Sequence, residues 1–208
     1  MKVLLVDDHE LLRRGVRELL TETFTDAEFG EAGTGEDAVA MVAESPWDLI
    51  ILDLAMPRRG GLDALREIHA RCPDVPVVVL SASEDEHYAV RALRGGARGY
   101  VTKQTTSSEL VGAVKKAIAG TRYLSPSLME RIADSAIEPK QMPHEDLSDR
   151  ELQVLRMIAL GKSVKDIGVE LALSEKTIST YRARILTKMK LGSNAELMRY
   201  ALRSGLVD

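Results

Sequence analysis

The chain has 208 residues, 45% of them hydrophobic and 29% charged. That length fits one large domain or two small ones, and the apolar fraction excludes a disordered polymer. There is no apolar run of the ~20 residues that span a bilayer, and MKVLLVDDHE meets carboxylates too early for a signal peptide. One cysteine, Cys72, excludes an intrachain disulfide framework, and no Cys/His group has zinc spacing. A cytoplasmic protein is expected. The net charge of −4 is uneven. Residues 1–145 hold 17 Lys and Arg against 24 Asp and Glu, whereas residues 146–208 hold 11 against 8. A small basic C-terminal part suits a polyanionic partner.

In chain order, Lys2–Val6 is a short apolar run, and His9–Thr21 carries Leu11, Leu12, Val16, Leu19 and Leu20 at helical spacing. Glu28–Ala32 is a weaker strand and Gly35–Ala43 a helix. Leu49–Leu52 is a strand, Leu62–Arg71 a helix, Val77–Leu80 a strand and Glu86–Arg94 a helix. Arg98–Val101 is a strand and Ser107–Ala119 a helix. Five strands alternating with five helices predict a doubly wound, five-stranded parallel sheet over residues 1–120. Residues 121–145 carry Pro126, Pro139 and Pro143 and are expected to be a linker with a short helix at Ser127–Ser135. From 146 to 208 the pattern is purely helical. Ser148 and Glu151 form a capping-box layout before Leu152, Leu155, Ile158 and Ala159, and Gly161 ends that helix. Ser163–Leu171, Glu175–Met189 and Asn194–Arg203 complete a four-helix, all-α domain.

Ligands of open parallel sheets sit beyond the carboxyl ends of the strands. Those ends carry Asp7-Asp8, Asp53, Ser81 and Thr102-Lys103. Three carboxylates in one place repel unless a cation neutralises them, and oxygen donors suit a hard ion, Mg²⁺ above others. With a hydroxyl and a lysine beside them, they make a site for a phosphoryl group, in which one carboxylate could attack phosphorus. Val6-Asp7-Asp8-His9, Leu52-Asp53-Leu54-Ala55-Met56-Pro57 with Gly60-Gly61, Ser81-Ala82 and Tyr100-Val101-Thr102-Lys103 resemble the bacterial response-regulator receiver domain, which is flavodoxin-like. The resemblance implies that Asp53 accepts the phosphoryl group. Asp8, with help from Asp7 and the backbone carbonyl of Ala55, would hold Mg²⁺. Ser81 would be the switch hydroxyl, Lys103 the partner of the phosphoryl oxygens, and Tyr100 the aromatic that swings inward. Gln104 stands where the family pattern has proline.

Ser163–Leu171, a tight turn and Glu175–Met189 read as helix-turn-helix, whose second helix enters the major groove. At 100° per residue, Ile178, Arg182, Ile185 and Met189 share a core side, with Tyr181 beside them. Lys176, Thr177, Thr180, Ala183, Arg184 and Thr187 lie opposite, with Ser179 at the flank. Small and hydroxyl side chains among cations suit base edges and phosphates. Leu147-Ser148-Asp149-Arg150-Glu151, Lys165-Asp166-Ile167, Leu173-Ser174-Glu175-Lys176-Thr177-Ile178, Lys188-Met189 and Asn194-Ala195-Glu196-Leu197 resemble the LuxR (NarL/FixJ) type of DNA-binding domain. By that resemblance Lys176, Thr177, Tyr181 and Arg182 touch the DNA backbone or hold the helix on it, with Arg184 and Lys188 as further contacts. Ser179, Thr180 and Ala183 face bases. The last helix carries part of a dimer contact.

The chain is therefore expected to be a two-component transcription regulator. A sensor histidine kinase phosphorylates it, it forms a homodimer, and it binds promoter DNA without contacting a membrane. A metal-dependent phosphohydrolase would carry a second Asp two residues after its nucleophile, where this chain has Ala55, so the chain is not expected to be an enzyme. A phosphorylation-independent regulator fits less well with the complete set Asp7, Asp8, Asp53, Ser81 and Lys103. Cys72 is expected to be a structural or surface thiol, His9 a solvated neighbour of the acidic pair, and Trp47 a packing residue.

Overall fold

The computed structural model describes residues 1–56, 60–82, 86–137 and 142–207. Pro57 and Pro139, named above, lie outside them. The chain forms two compact units, Met1–Ile137 and Glu138–Asp208.

In the first unit, β1 (Lys2–Val6), β2 (Glu28–Ala32), β3 (Leu49–Leu52), β4 (Val77–Ser81), β5 (Gly99–Thr102) and β6 (Tyr123–Leu124) form one sheet. Its order is β2-β1-β3-β4-β5-β6, with every pair parallel. All residues of β3 and β4 are buried, which is why these runs are apolar without alternation. On one face Val3, Leu5, Leu49, Ile51, Val78, Leu80 and Val101 pack with residues of α1 (Glu10–Thr23) and α5 (Ser107–Ile118). Strand residues of opposite parity, Leu4, Ile50, Leu52, Val79 and Tyr100, are equally buried. Helices α2 (Gly35–Glu44), α3 (Gly61–Arg71) and α4 (Glu86–Arg94) complete the layer sequence, α2 against β1 and β2 and α4 against β5. Each fully buried Leu or Ile contributes about 1.5–3 kcal/mol.

The sheet has six strands, one more than the sequence pattern indicates. Tyr123 N donates to the Arg98 carbonyl at 2.9 Å, and Gly99 and Tyr100 pair with Tyr123 and Leu124. A two-residue strand is made by main-chain hydrogen bonds to an open sheet edge and leaves no periodicity to read. The helix expected at Ser127–Ser135 is α6, Pro126–Ile137, and it belongs to the first unit, where it packs against α4. Much of the segment read as a linker is thus regular structure.

The second unit comprises a 3₁₀ turn (Pro143–Asp146) and α7 (Asp149–Ala159), α8 (Val164–Leu171), α9 (Glu175–Met189) and α10 (Asn194–Arg203). Ser148, Ser163, Ser174 and Ser193 each cap a helix by accepting a backbone N–H, a contact typically worth about 1 kcal/mol. Leu152, Leu155, Ile167, Leu171, Ile178, Ile185, Leu197 and Leu206 form its core. The 3₁₀ turn is held through buried His144, whose Nδ1 lies 2.6 Å from the Tyr200 hydroxyl.

Candidate functional site

Strand order 2-1-3-4-5 places the topological switch between β1 and β3, and the chain delivers carboxylates to the ends of those two strands. Asp7 follows β1 and Asp53 follows β3. They are 5% and 1% exposed. Asp53 N donates to the Val6 carbonyl at 2.8 Å, which locks the two strand ends in register. Lys103, just past β5, bridges them: its Nζ donates to Asp7 Oδ2 at 2.7 Å and to Asp53 Oδ2 at 2.9 Å. The lysine is aimed by its own backbone, since Lys103 N donates to the carbonyl of buried Ser81 at 2.8 Å. The following loop is secured by a capping box between Thr106 and Glu109.

Charge and burial compete at this site. Burial raises the Asp53 pKa above the usual aspartate value, against the lowering influence of the Ala55 N–H on Oδ1 at 3.0 Å and of Lys103. Burial works the other way on Lys103, but its hydrogen bonds and ion pairs to Asp7 and Asp53 prevail and hold its pKa up. Asp8 is exposed beside the pair. Three carboxylates and one ammonium leave two net negative charges, the deficit that one divalent cation fills. Ligand atoms of Asp7, Asp8, His9 and Asp53 lie within 4.8 Å of one another. This oxygen-rich donor set fits a hard divalent ion.

The remaining residues of the predicted site fall around this cluster. Ser81 ends β4 and is buried, and Tyr100 on β5 is fully buried, already in an inward position. Ala55 is exposed at the rim. The described residues contain no cis peptide bond, so Lys103–Gln104 is trans. Three contributions were not visible in the sequence pattern. Arg13 donates from Nη1 to the Asp7 carbonyl at 2.6 Å and from Nε to Glu31 at 2.9 Å, fixing the loop behind the acidic pair. Gly61 packs so closely that a Cβ would lie 2.4 Å from both the Asp53 carbonyl oxygen and Leu54 Cα. His9, read as a solvated neighbour, has Nδ1 2.8 Å from Asp8 Oδ1 and 3.1 Å from Asp7 Oδ1.

In the second unit, α8 and α9 join through Ala172 in the left-handed region (φ 51°), Leu173 and the cap Ser174. Gly168 allows this tight approach, because a Cβ there would stand 2.8 Å from the Leu173 carbonyl. The faces of α9 divide as its spacing indicates. Ile178, Ile185 and Met189 are buried, while Lys176, Ser179, Thr180, Ala183, Arg184 and Thr187 are exposed. Ser174, Lys176, Thr177, Thr180, Tyr181 and Arg184 line an open depression of about 310 Å³. Two cations of this helix are engaged within the unit. Arg182 Nε donates to Asn194 Oδ1 at 2.7 Å, and Lys188 Nζ reaches the buried Glu151 carboxylate at 2.6 Å and the Asp146 carbonyl at 3.2 Å. Glu151 also accepts from Ser148 N at 2.8 Å.

Comparison with known proteins assigns a family to each unit. Residues 3–115 match the response regulator receiver domain, and residues 145–201 match the bacterial regulatory proteins of the luxR family. The chain is 39% identical over 210 aligned residues to the response regulator GacA of Pseudomonas aeruginosa, covering all of this chain and 98% of that protein. It is 37% identical to the response regulator UvrY of Escherichia coli, covering all of this chain and 96% of that one. Among solved structures, RcsB of Salmonella enterica serovar Typhimurium, bound to the promoter rprA with a beryllofluoride phosphomimetic, superposes with a TM-score of 0.68. It is 25% identical, over 96% of this chain and 98% of that one. A LuxR-family two-component response regulator from an Aurantimonas species superposes with a TM-score of 0.60 at 30% identity, over 65% of this chain and 97% of that one. The chain therefore belongs to the two-component response regulators of the LuxR family, which are DNA-binding transcription regulators and not enzymes.

Proposed function

We propose that this regulator is switched by phosphorylation of Asp53 by a sensor histidine kinase, with the receiver over residues 1–120, the DNA-binding domain over 146–208, and 121–145 between them. The observation that carries the reading is the Lys103 bridge to Asp7 and Asp53 at the switch point of the sheet. An Asp53 carboxylate oxygen attacks phosphorus, the bond from phosphorus to the donor's nitrogen breaks, and the phosphoryl group stays on Asp53 as an acyl phosphate. Lys103 neutralises a phosphoryl oxygen throughout. Asp7, Asp8, Asp53 and the Ala55 carbonyl would hold Mg²⁺, which supplies Lewis-acid neutralisation of the developing charge. Ser81 turns its hydroxyl to the phosphoryl group, and buried Tyr100 carries that movement towards α4. No helix among the described residues is long and apolar enough to cross a membrane, and the protein acts in the cytoplasm.

The activated protein dimerises and binds an inverted repeat in promoter DNA. Lys176, Thr177, Tyr181 and Arg184 hold phosphates, and Ser179, Thr180 and Ala183 face bases. Arg182 and Lys188 support the helix from within and reach DNA only by giving up Asn194 and Glu151. Acetyl phosphate or beryllofluoride, with and without Mg²⁺, tests the switch. Wild type is modified only with Mg²⁺ and gains mass as a dimer in light scattering, and Asp53→Ala does neither. Labelling of Asp53→Ala at the wild-type level would overturn the assignment.

A further inference from the structure

We propose that His9 is a ligand of the cation site, making it a mixed nitrogen–oxygen site that accepts borderline divalent ions such as Co²⁺ and Ni²⁺ more tightly than an all-oxygen site would. The proposal rests on the cation reading above and extends it to a residue that reading does not use.

His9 is the N-cap residue of α1, yet its side chain makes no capping hydrogen bond. An N-cap side chain ordinarily accepts from the first-turn N–H groups. Here the ring turns instead to the carboxylates, with Nδ1 2.8 Å from Asp8 Oδ1 and 3.1 Å from Asp7 Oδ1. The backbone holds it there, because His9 N donates to Asp7 Oδ1 at 2.8 Å and the His9 carbonyl accepts from Leu12 N and Arg13 N. The two oxygens of Asp7 are thereby divided. Oδ2 takes Lys103, while Oδ1 meets His9. A cation drawn by Asp7, Asp8 and Asp53 sits among ligand atoms already within 4.8 Å of one another, the imidazole nitrogen included. Adjacent ligands on an octahedral ion with bonds of ~2.1 Å stand about 3.0 Å apart, a spacing that the hydrogen-bonding contacts of His9 Nδ1 to the two oxygens already match. The ring is 68% exposed, so it can tilt onto the ion without disturbing the core. Imidazole adds little for Mg²⁺ but favours first-row transition ions in their usual order.

The test uses the full chain and Mn²⁺ as the probe. Pulsed electron paramagnetic resonance of the Mn²⁺ complex is expected to show coupling to one histidine nitrogen, converted to the ¹⁵N pattern by ¹⁵N-histidine labelling. The coupling disappears in His9→Ala and in His9→Asn, the second of which keeps a good N-cap residue. Co²⁺ and Ni²⁺ affinities fall at least about tenfold in both variants, while Mg²⁺ affinity changes less than about threefold. Circular dichroism checks that both variants fold. Mn²⁺ bound to wild type without nitrogen coupling, or coupling that survives in His9→Ala through one of the other three histidines, overturns the proposal and leaves the carboxylate cation site standing. Failure of wild type to bind Mn²⁺ or Mg²⁺ at all overturns both.

Discussion

Replacing Lys103 by methionine should weaken the fold and strengthen cation binding at once. The Nζ group of Lys103 sits 2.7 Å from Asp7 Oδ2 and 2.9 Å from Asp53 Oδ2, and its side chain is 18% exposed. Methionine fills much the same volume without charge. Two buried carboxylates then face each other unpaired, which costs at most roughly 3–5 kcal/mol; Asp53, whose pKa already lies high, relieves part of this by taking a proton. With Lys103 gone, the net charge of the site, carboxylates and lysine together, moves from −2 to −3 when Asp53 is ionised. A divalent ion also escapes repulsion by the ammonium. Charges of +2 and +1 about 5 Å apart repel by about 1.7 kcal/mol even at the dielectric of water. Lys103→Met should therefore bind Mg²⁺ at least about tenfold more tightly than wild type. Its thermal unfolding midpoint should fall in EDTA and recover more with Mg²⁺ than wild type gains. Calorimetric titration and denaturation scans read both quantities. An unchanged or weaker Mg²⁺ affinity in a folded Lys103→Met protein would refute the charge balance argued for this site.

Gly61→Ala should destabilise the first unit by roughly 1–3 kcal/mol and slow modification by acetyl phosphate, because its Cβ collides with rigid backbone at Asp53 and Leu54; an unchanged melting temperature would contradict the close approach. Burial pushes the Glu151 carboxyl up, but hydrogen bonds from Lys188 and Ser148 outweigh it and hold its pKa below the ordinary 4.5. Its stabilisation is therefore full above that pH and lost as pH falls through the depressed value. Glu151→Gln should cost about 1 kcal/mol at pH 7 and flatten the acid limb of the stability curve, as followed by circular dichroism. On DNA, Lys176→Ala should reduce affinity for operator and scrambled duplexes alike and lower the salt slope by about one phosphate's worth. Thr180→Ala should cost about 1 kcal/mol on the operator alone; parallel losses on both duplexes would show that α9 does not divide its work in this way.

Both functional regions were legible because each rests on local rules that survive folding. Strand ends in a parallel sheet follow apolar runs, so Asp7, Asp53, Ser81 and Lys103 could be assigned to one rim from their neighbours alone. The faces of α9 follow from 100° per residue, and burial of Ile178, Ile185 and Met189 agrees. The Ser148 cap was readable because an N-cap side chain bonds to its own first turn, within three residues.

What tertiary structure alone decided depends on contacts between residues far apart in sequence. Strand β6 exists because the edge of β5 presents unpaired backbone groups to Tyr123 and Leu124. Helix α6 joins the first unit because α4 gives it a surface, although the prolines of the segment around it and its position suggested a connector. The family resemblance gave Lys188 as a DNA contact, and folding brings it to Glu151, 37 residues earlier in the chain. Neither the glycine requirement at Gly61 nor the turn of His9 towards Asp8 has a periodic signature, since both arise from the path of a loop. Sequence by itself determined which groups gather at the sheet rim and which face of α9 is polar, because both follow from short-range geometry. Only the three-dimensional packing decided that Arg182 and Lys188 bond to Asn194 and Glu151, because such contacts depend on distances that the chain order does not contain.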